Sequence, residues 1–335
     1  MRRTGFLFDS VIEPNNLKLA WLKARRGKTS NPVVQGYFRN LEANLRELRE
    51  SILDGTPPIG SYEYFTIQDP KERLICAASL PQRILHHALM NVLHPIFERF
   101  QIADSYACRV GKGTQSAVLR AFHGAKGNLY FLKMDVRKYF DSIDHEVLKT
   151  KIARLIKDAR VTSLLFAIID SYQTQSGKGI PIGNLTSQYF ANHYLASIDH
   201  QAKEHWNCKT WIRYMDDIVV CSDSHGFLND VYGKTETECS ESLGLNLKPE
   251  ISDSTCMGIP FLGFLIKNSG IFLSRRSKSR FSAKSKEIEW MLGSGKITER
   301  TAAERATSMC AYTLIAHSRG FRYHVYHGRD LGRRQ

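Results

Sequence analysis

The feature that most restricts how this chain can fold is a pair of adjacent aspartates, Asp216 and Asp217, set inside an apolar stretch. Trp211 and Ile212 precede them, and Ile218, Val219 and Val220 follow. The stretch from Trp211 to Cys221 reads as two short strands joined by a tight turn at Tyr214-Met215-Asp216-Asp217. Two carboxylates about 4 Å apart repel by roughly 4 kcal/mol at an effective dielectric near 20. A turn at the surface would simply hydrate both, whereas a turn between buried strands calls for a cation. A second expensive position is Asp135, which ends the apolar run Tyr130-Phe131-Leu132-Lys133-Met134. From Leu129 to Val136 that run is nearly continuous, as in a central strand covered on both faces. If the two strands are neighbours, three carboxylates converge at one sheet edge. The alternative is a hydrated polar turn and an unrelated, helix-capping aspartate.

Three carboxylates together with phosphate oxygens suit Mg²⁺, a hard ion of octahedral habit, with Mn²⁺ as a possible substitute. Two such ions about 3.5–4 Å apart can activate an attacking hydroxyl and stabilise the leaving oxygen of an in-line displacement, which is the chemistry of nucleotide addition. The charge balance points the same way. Lys plus Arg is 47 against 33 for Asp plus Glu, a net charge of +14, and a field of that sign attracts phosphate backbones. Basic proteins also bind membranes or acidic partners, but no run of 18 apolar residues is present and no membrane span is expected. The start, Met1-Arg2-Arg3-Thr4-Gly5-Phe6-Leu7-Phe8-Asp9, is basic, yet its apolar part is too short for a signal peptide. Seven cysteines, none in Cys-x-x-Cys spacing, argue against a disulfide framework or a zinc finger. They read as reduced thiols of a cytoplasmic protein.

Periodicity outlines the rest. The first 55 residues read as helical and polar, with a basic cluster at Lys23–Lys28 and one helical stripe from Tyr37 to Leu53, stopped by Asp54-Gly55-Thr56-Pro57-Pro58. Tyr62–Ile67 and Arg73–Ala77 suit strands joined by a turn at Asp69-Pro70-Lys71-Glu72. A long amphipathic helix follows from Leu80 to Phe100, then helices over Glu146–Ala159, Thr162–Tyr172, Gly183–His200 and Val231–Leu243. Leu245–Lys248 suits a short strand, and Phe261–Ile266 with Ile271–Leu273 a hairpin through Asn268-Ser269-Gly270. Beyond Ser277 the chain is basic and mostly helical. The histidines show no spacing that demands a metal and read as structural.

The ordered set of motifs resembles one family. Asp135-Val136-Arg137-Lys138-Tyr139-Phe140, then Gly179-Ile180-Pro181-Ile182-Gly183-Asn184-Leu185-Thr186-Ser187-Gln188, then Tyr214-Met215-Asp216-Asp217, then Leu243-Gly244-Leu245-Asn246-Leu247-Lys248, then Phe261-Leu262-Gly263-Phe264 look like the blocks of a reverse transcriptase. The match runs from about Tyr62 to Ile266. The resemblance implies an α/β (α+β) right-hand polymerase fold, with interleaved fingers and palm over residues 1–268 and the end of the primer-grip hairpin plus a short, basic helical thumb over 269–335. It also implies an RNA-directed DNA polymerase that binds template RNA, cDNA and dNTPs.

The segment at 180–192 narrows the subgroup. Most members begin it with Gln-Gly and end it with Ser-Pro; here Ile182 and Gln188 stand in those places. Together with Asp104-Ser105-Tyr106-Ala107-Cys108-Arg109 and Gly111-Lys112-Gly113-Thr114, this is similar to the reverse transcriptases of diversity-generating retroelements, found in bacteria and phages. That similarity implies copying errors at template adenines and a small basic accessory protein as partner. The rivals are a retron, a group II intron or a phage-defence enzyme. A retron would carry Val-Thr-Gly where this chain has Phe-Leu-Gly, and an intron enzyme is expected to carry a further domain after the thumb. A rival of another kind is a non-catalytic RNA-binding scaffold.

The resemblance places functions on particular residues. Asp135, Val136, Asp216 and Asp217 would hold the metal ions. Lys248 would protonate the departing pyrophosphate, or is an ordinary solvated lysine. Lys71 and Arg73 would hold the triphosphate, or are surface charges. Phe140 would gate against ribose 2′-hydroxyls, or is a core residue. Ile182 and Gln188 would line the dNTP site. An apolar Ile182 cannot make the hydrogen bond of a glutamine, which removes about 0.5–1.5 kcal/mol of discrimination; otherwise it packs a helix entrance. Tyr214, Met215, Phe261, Leu262 and Gly263 would meet the primer and template. Arg275, Arg276, Lys278 and Arg280 belong to a run, continued by Lys284 and Lys286, that either tracks a duplex backbone or solubilises a face.

Overall fold

Apolar spacing and turn chemistry dictate most of the element order. The computed structural model describes residues 3–68 and 72–327. The chain runs α1 (Phe8–Val11), α2 (Pro14–Ala24), α3 (Pro32–Arg39), α4 (Leu41–Leu53), β1 (Tyr62–Gln68), β2 (Glu72–Ala78), α5 (Leu80–Phe100), α6 (Thr114–Lys126) and β3 (Tyr130–Asp135). It continues through α7 (Tyr139–Ser142), α8 (His145–Leu155), α9 (Ala159–Asp170), α10 (Leu185–His200), β4 (Thr210–Tyr214), β5 (Asp217–Ser222) and α11 (His225–Thr237). It then forms β6 (Ile251–Ser254), β7 (Ile259–Phe261), β8 (Phe264–Lys267), β9 (Gly270–Leu273), α12 (Arg275–Gly293), α13 (Glu299–Thr313) and α14 (Arg319–His327). The fold is mixed α/β, and the three sheets, β1-β2, β4-β5-β3-β6 and β7-β8-β9, are antiparallel. No helix among the described residues is long and apolar enough to cross a membrane.

The residues group into two compact units, each assembled from three stretches of chain. The first takes Met1–Ile102, Val136–His200 and Thr235–Leu247. Its centre is α5, whose buried Ile84, Leu85, Ala88, Leu89 and Leu93 recur at helical spacing and meet α2 and α10. Asp158 works twice here. Its carboxylate caps α9 through the Arg160 and Val161 amides and also accepts from the amides of Leu7 and Phe8. The second unit takes Ala103–Asp135, Gln201–Lys234 and Lys248–Gln335. Its core joins Ala117, Val118, Ala121 and Ala125 of α6 to Phe131, Ile212, Val219 and Cys221 of the four-stranded sheet, and to Ile259, Phe261, Phe264 and Ile266 of the three-stranded one.

Several expectations shift in position. The stripe from Tyr37 to Leu53 breaks at Asn40, whose backbone (φ −121°, ψ 39°) is not helical. The Asn44 amide donates to the Tyr37 carbonyl at 2.9 Å, which makes the break tolerable. The helix expected to reach Ala159 stops at Leu155, because Asp158 is better used as the cap of α9. Leu245–Lys248 forms no strand; only Leu247 pairs, with Val136. The strand expected over 261–266 is itself a hairpin, turned at Leu262-Gly263, where φ is 49° and 86°. Helix α6 and strand β6 were not anticipated. The Asp69-Pro70-Lys71 part of the expected turn lies outside the described residues.

Candidate active site

Register brings the acidic residues of the second unit together. Strands β3 and β5 are neighbours, and Asp135 lies directly opposite Asp217. Paired residues share a face, so Phe131, Lys133 and Asp135 stand beside Cys221, Val219 and Asp217, with Thr210, Ile212 and Tyr214 of β4 alongside. Helix α6 packs over the Thr210–Cys221 end of that face. The two aspartates occupy its other end. Asp216 lies in the two-residue loop Met215-Asp216 that joins β4 to β5, half-buried like Asp217.

The loop is braced from within. Met215 takes a left-handed backbone (φ 58°), uncommon for a residue with a side chain. Its carbonyl accepts from the guanidinium of Arg213 at 3.0 Å, and Arg213 is fully buried. The Arg213 main chain pairs in turn with Asp104 and Tyr106. The Asp104 carboxylate is held by Arg120 at 3.0 Å and Lys203 at 2.8 Å. Segment 104–109 therefore works as an edge brace of β4. Tyr214 points its hydroxyl at Thr114, the first residue of α6, which donates at 3.2 Å.

Two lysines partner the carboxylates. Lys248 Nζ lies 2.6 Å from Asp135 Oδ1, and its amide donates to the Asp135 carbonyl at 2.8 Å. Lys133 Nζ lies 3.3 Å from Asp217 Oδ1, an ion pair without hydrogen-bond geometry, because that buried oxygen has no hydrogen-bond partner. Burial pushes the Asp217 carboxyl up to about 7; Lys133 opposes the shift, and Asp135 and Asp216 add to it. Among the described residues no group of three His, Cys, Asp or Glu is drawn into a ready-made cage for a metal ion. The donor set nevertheless suits a hard cation: three carboxylates, one with a buried oxygen lacking a hydrogen bond, balanced by ammonium groups that a divalent ion could replace.

The remaining candidates divide between the units. In the first unit Ile180 N donates to the Phe140 carbonyl and Cys76 N to the Ile182 carbonyl, each at 2.9 Å. These bonds stitch α7, the 180–182 segment and β2 together. Phe140 and Ile182 are half-buried, Arg73 is exposed on β2, and Gln188 is half-buried on α10. Val136 also belongs to this unit; its side chain is buried and it pairs with Leu247. Lys71 lies outside the described residues. In the second unit Phe261 is buried in the core, while Leu262 is half-buried and Gly263 exposed at that turn. Arg275, Arg276, Lys278 and Arg280 are exposed on the first turns of α12. They do not form one stripe. Helical spacing aligns Arg276, Arg280 and Lys284 on one side, and puts Arg275 and Lys278 on another.

Sequence reasoning passed over Lys133 and Arg213. The signal was present in both cases: a basic residue inside an otherwise apolar strand is expensive unless paired.

The family model described as reverse transcriptase (RNA-dependent DNA polymerase) matches residues 68–266. The group II intron-encoded protein LtrA of Lactococcus lactis subsp. cremoris is 24% identical over 208 residues, 58% of this chain and 34% of that protein. The retron Ec73 reverse transcriptase of Escherichia coli is 25% identical over 189 residues, 52% of this chain and 58% of that protein. The chain thus spans less than two thirds of the length of each of these relatives. A solved structure of apo telomerase from Candida tropicalis superposes with a TM-score of 0.52 at 12% identity, covering 66% of this chain and 49% of that one, a likeness of fold consistent with a right-hand polymerase. With the matched stretch taking in Asp135, Asp216 and Asp217 and more than half of the chain, the protein belongs to the reverse transcriptase (RNA-dependent DNA polymerase) family.

Proposed function

We propose that this chain is an RNA-directed DNA polymerase that extends a primer on an RNA template by attack of the 3′-hydroxyl on the α-phosphate of a dNTP, releasing pyrophosphate. The observation that carries this reading is the register of β3 and β5, which sets Asp135 opposite Asp217 beside the loop that carries Asp216. Asp135, Asp216 and Asp217, with the Val136 main chain, would hold two divalent ions, Mg²⁺ or Mn²⁺. Ions bound there supply charge neutralisation for the triphosphate and ease loss of the hydroxyl proton. Lys248, already against Asp135, donates a proton towards the departing pyrophosphate. Arg73 and Lys71 pair with phosphate oxygens, the Phe140 ring crowds a ribose 2′-hydroxyl, and Ile182 and Gln188 contact the incoming nucleotide. Tyr214 and Met215 adjoin the primer end, the 261–263 turn holds it, and the basic start of α12 follows the duplex. In this reading residues 1–268 are fingers and palm and 269–335 the thumb.

The finer reading is a diversity-generating retroelement enzyme, bacterial or phage-encoded, acting in the cytoplasm with a small basic accessory protein and miscopying template adenines. It is supported by Ile182 and Gln188 in place of the usual glutamine and proline. The second reading is a reverse transcriptase of another element, favoured by the likeness to intron-encoded and retron proteins.

RNA-templated extension of a labelled primer with dNTPs and Mg²⁺, followed by sequencing of the cDNA, tests both levels. No product, with RNA still bound, would leave only a binding scaffold. Product with adenine errors supports the diversity-generating reading, and faithful product favours the other element. Ile182→Gln is expected to lower adenine misincorporation by about 2- to 10-fold; an unchanged error spectrum removes Ile182 from the account.

A further inference from the structure

The β7–β8 turn is held by both of its carbonyls, from two different helices. Leu262 and Gly263 each take a left-handed backbone, which a branched side chain such as leucine rarely adopts without support. That support is visible. Tyr312, near the end of α13, donates its hydroxyl to the Leu262 carbonyl at 2.8 Å while its ring lies 4.8 Å from that of Phe264. Ser277, in the first turn of α12, donates to the Gly263 carbonyl at 2.6 Å, and the Ser274 amide reaches the same oxygen at 3.1 Å. A Cβ at position 263 would overlap both the Tyr312 and the Ser277 hydroxyls, so glycine is required there for space as well as for φ. Elsewhere the facing sides of α12 and α13 line a groove of about 760 Å³, with Tyr312 and Ser277 among its walls. The turn is thus a point at which both helices are pinned to the β-sheet.

We propose that Tyr312 and Ser277 are positioning residues. Their hydroxyls set the two carbonyls of the 262–263 turn and, through that turn, the 3′ end of the primer, coupling α12 and α13 to nucleotide addition. This rests on the reading of the turn as the element that holds the primer. The two hydroxyls are suited to the task because each donates a directed hydrogen bond to a backbone oxygen: loss of the Tyr312 hydroxyl removes that donor from the Leu262 carbonyl, and loss of the Ser277 hydroxyl leaves the Gly263 carbonyl to the Ser274 amide.

The test uses the full chain, a 5′-labelled DNA primer annealed to an RNA template, and rapid-quench measurement of single-nucleotide addition. Tyr312→Phe and Ser277→Ala are each expected to lower the maximal addition rate about 3- to 10-fold. Duplex affinity, read by fluorescence anisotropy, and melting temperature should stay near the parent values. Gly263→Ala should lower the rate further, and adding Tyr312→Phe to it should recover part of the loss, because one of the two colliding hydroxyls is then gone. Maximal rates of Tyr312→Phe and Ser277→Ala within twofold of the parent would overturn the proposal. So would a loss matched by weaker duplex binding or a lower melting temperature, which would mark a purely architectural tie. If Gly263→Ala also adds nucleotides at the parent rate, the primer-holding role of the turn fails; if it is slow while Tyr312→Phe is not, only the positioning role fails.

Discussion

Asp217 is under opposing forces in the candidate site. Burial and two neighbouring aspartates favour its neutral form, and Lys133 favours the charged one. Asparagine keeps the size and removes the charge. Asp217→Asn is therefore expected to retain the fold by circular dichroism and to lower primer extension at least about 100-fold, the scale of losing one preorganised electrostatic group. EDTA should abolish extension in the parent, with recovery on excess Mg²⁺. Extension surviving either treatment would end the two-ion reading. At this scale the sequence was informative for a physical reason: an aspartate in an apolar strand is costly wherever the strand lies, so Asp135 and the 216–217 pair stand out before any fold is known. Lys133 and Arg213 obey the same rule in reverse. What no local pattern discloses is the pairing of Lys133 with Asp217 and of Arg213 with the Met215 carbonyl.

Helix α6 shows how packing can reverse a local preference. In an open helix, replacing glycine by alanine gains about 1 kcal/mol. At Gly124 the added Cβ would lie 2.8 Å from Thr210 Cγ2 and 3.2 Å from Cys221 Sγ, and overpacking costs about 1–3 kcal/mol. Gly124→Ala should thus lower the urea midpoint, by up to about 2 kcal/mol in stability; a raised midpoint would contradict the close approach of α6 to the sheet. In α5, burial brings His86 down to about 3, with His87 adding to the effect. The unfolded imidazole keeps its ordinary value near 6.5, so the unfolded state binds the proton first as pH falls. Stability from this group is present above pH 6.5 and is lost as pH falls from there towards the folded value, by about 2 kcal/mol between pH 7 and 5. Urea unfolding across that range, compared with His86→Asn, should show a steeper acid loss in the parent; parallel profiles would exclude the effect. Elements with clear period, such as α5, β1, β2 and the β4–β5 hairpin, were legible. The fold-back at Leu262-Gly263 was not, because it depends on partners outside the strand pattern, and the break at Asn40 was not, because the apolar stripe runs on through it.

For the molecule as a whole the governing term is charge, +14 over 335 residues. The first turns of α12 carry Arg275, Arg276 and Lys278 and no acidic residue. Cations at a helix N-terminus oppose its dipole by some tenths of a kcal/mol each, an arrangement that phosphate would relieve. Affinity for an RNA–DNA duplex is expected to fall linearly with salt on logarithmic axes. Replacing Arg276 and Arg280 by glutamine, on the side of α12 they share, should make that slope shallower by about 2. A slope equal to the parent's would remove these residues from the interface.

The amino-acid sequence alone pointed to the family, to the type of most elements and to three costly acidic positions. Each follows from a cost or a period that acts locally: charge in an apolar strand, alternation in strands, apolar recurrence in helices. Only tertiary structure decided the register that sets Asp135 against Asp217, the lysines that neutralise them, and the hydroxyls of Tyr312 and Ser277 on the 262–263 turn. Those contacts join residues from 14 to 113 positions apart, and such separations leave no trace in local composition because closure is selected by the packing of the whole core.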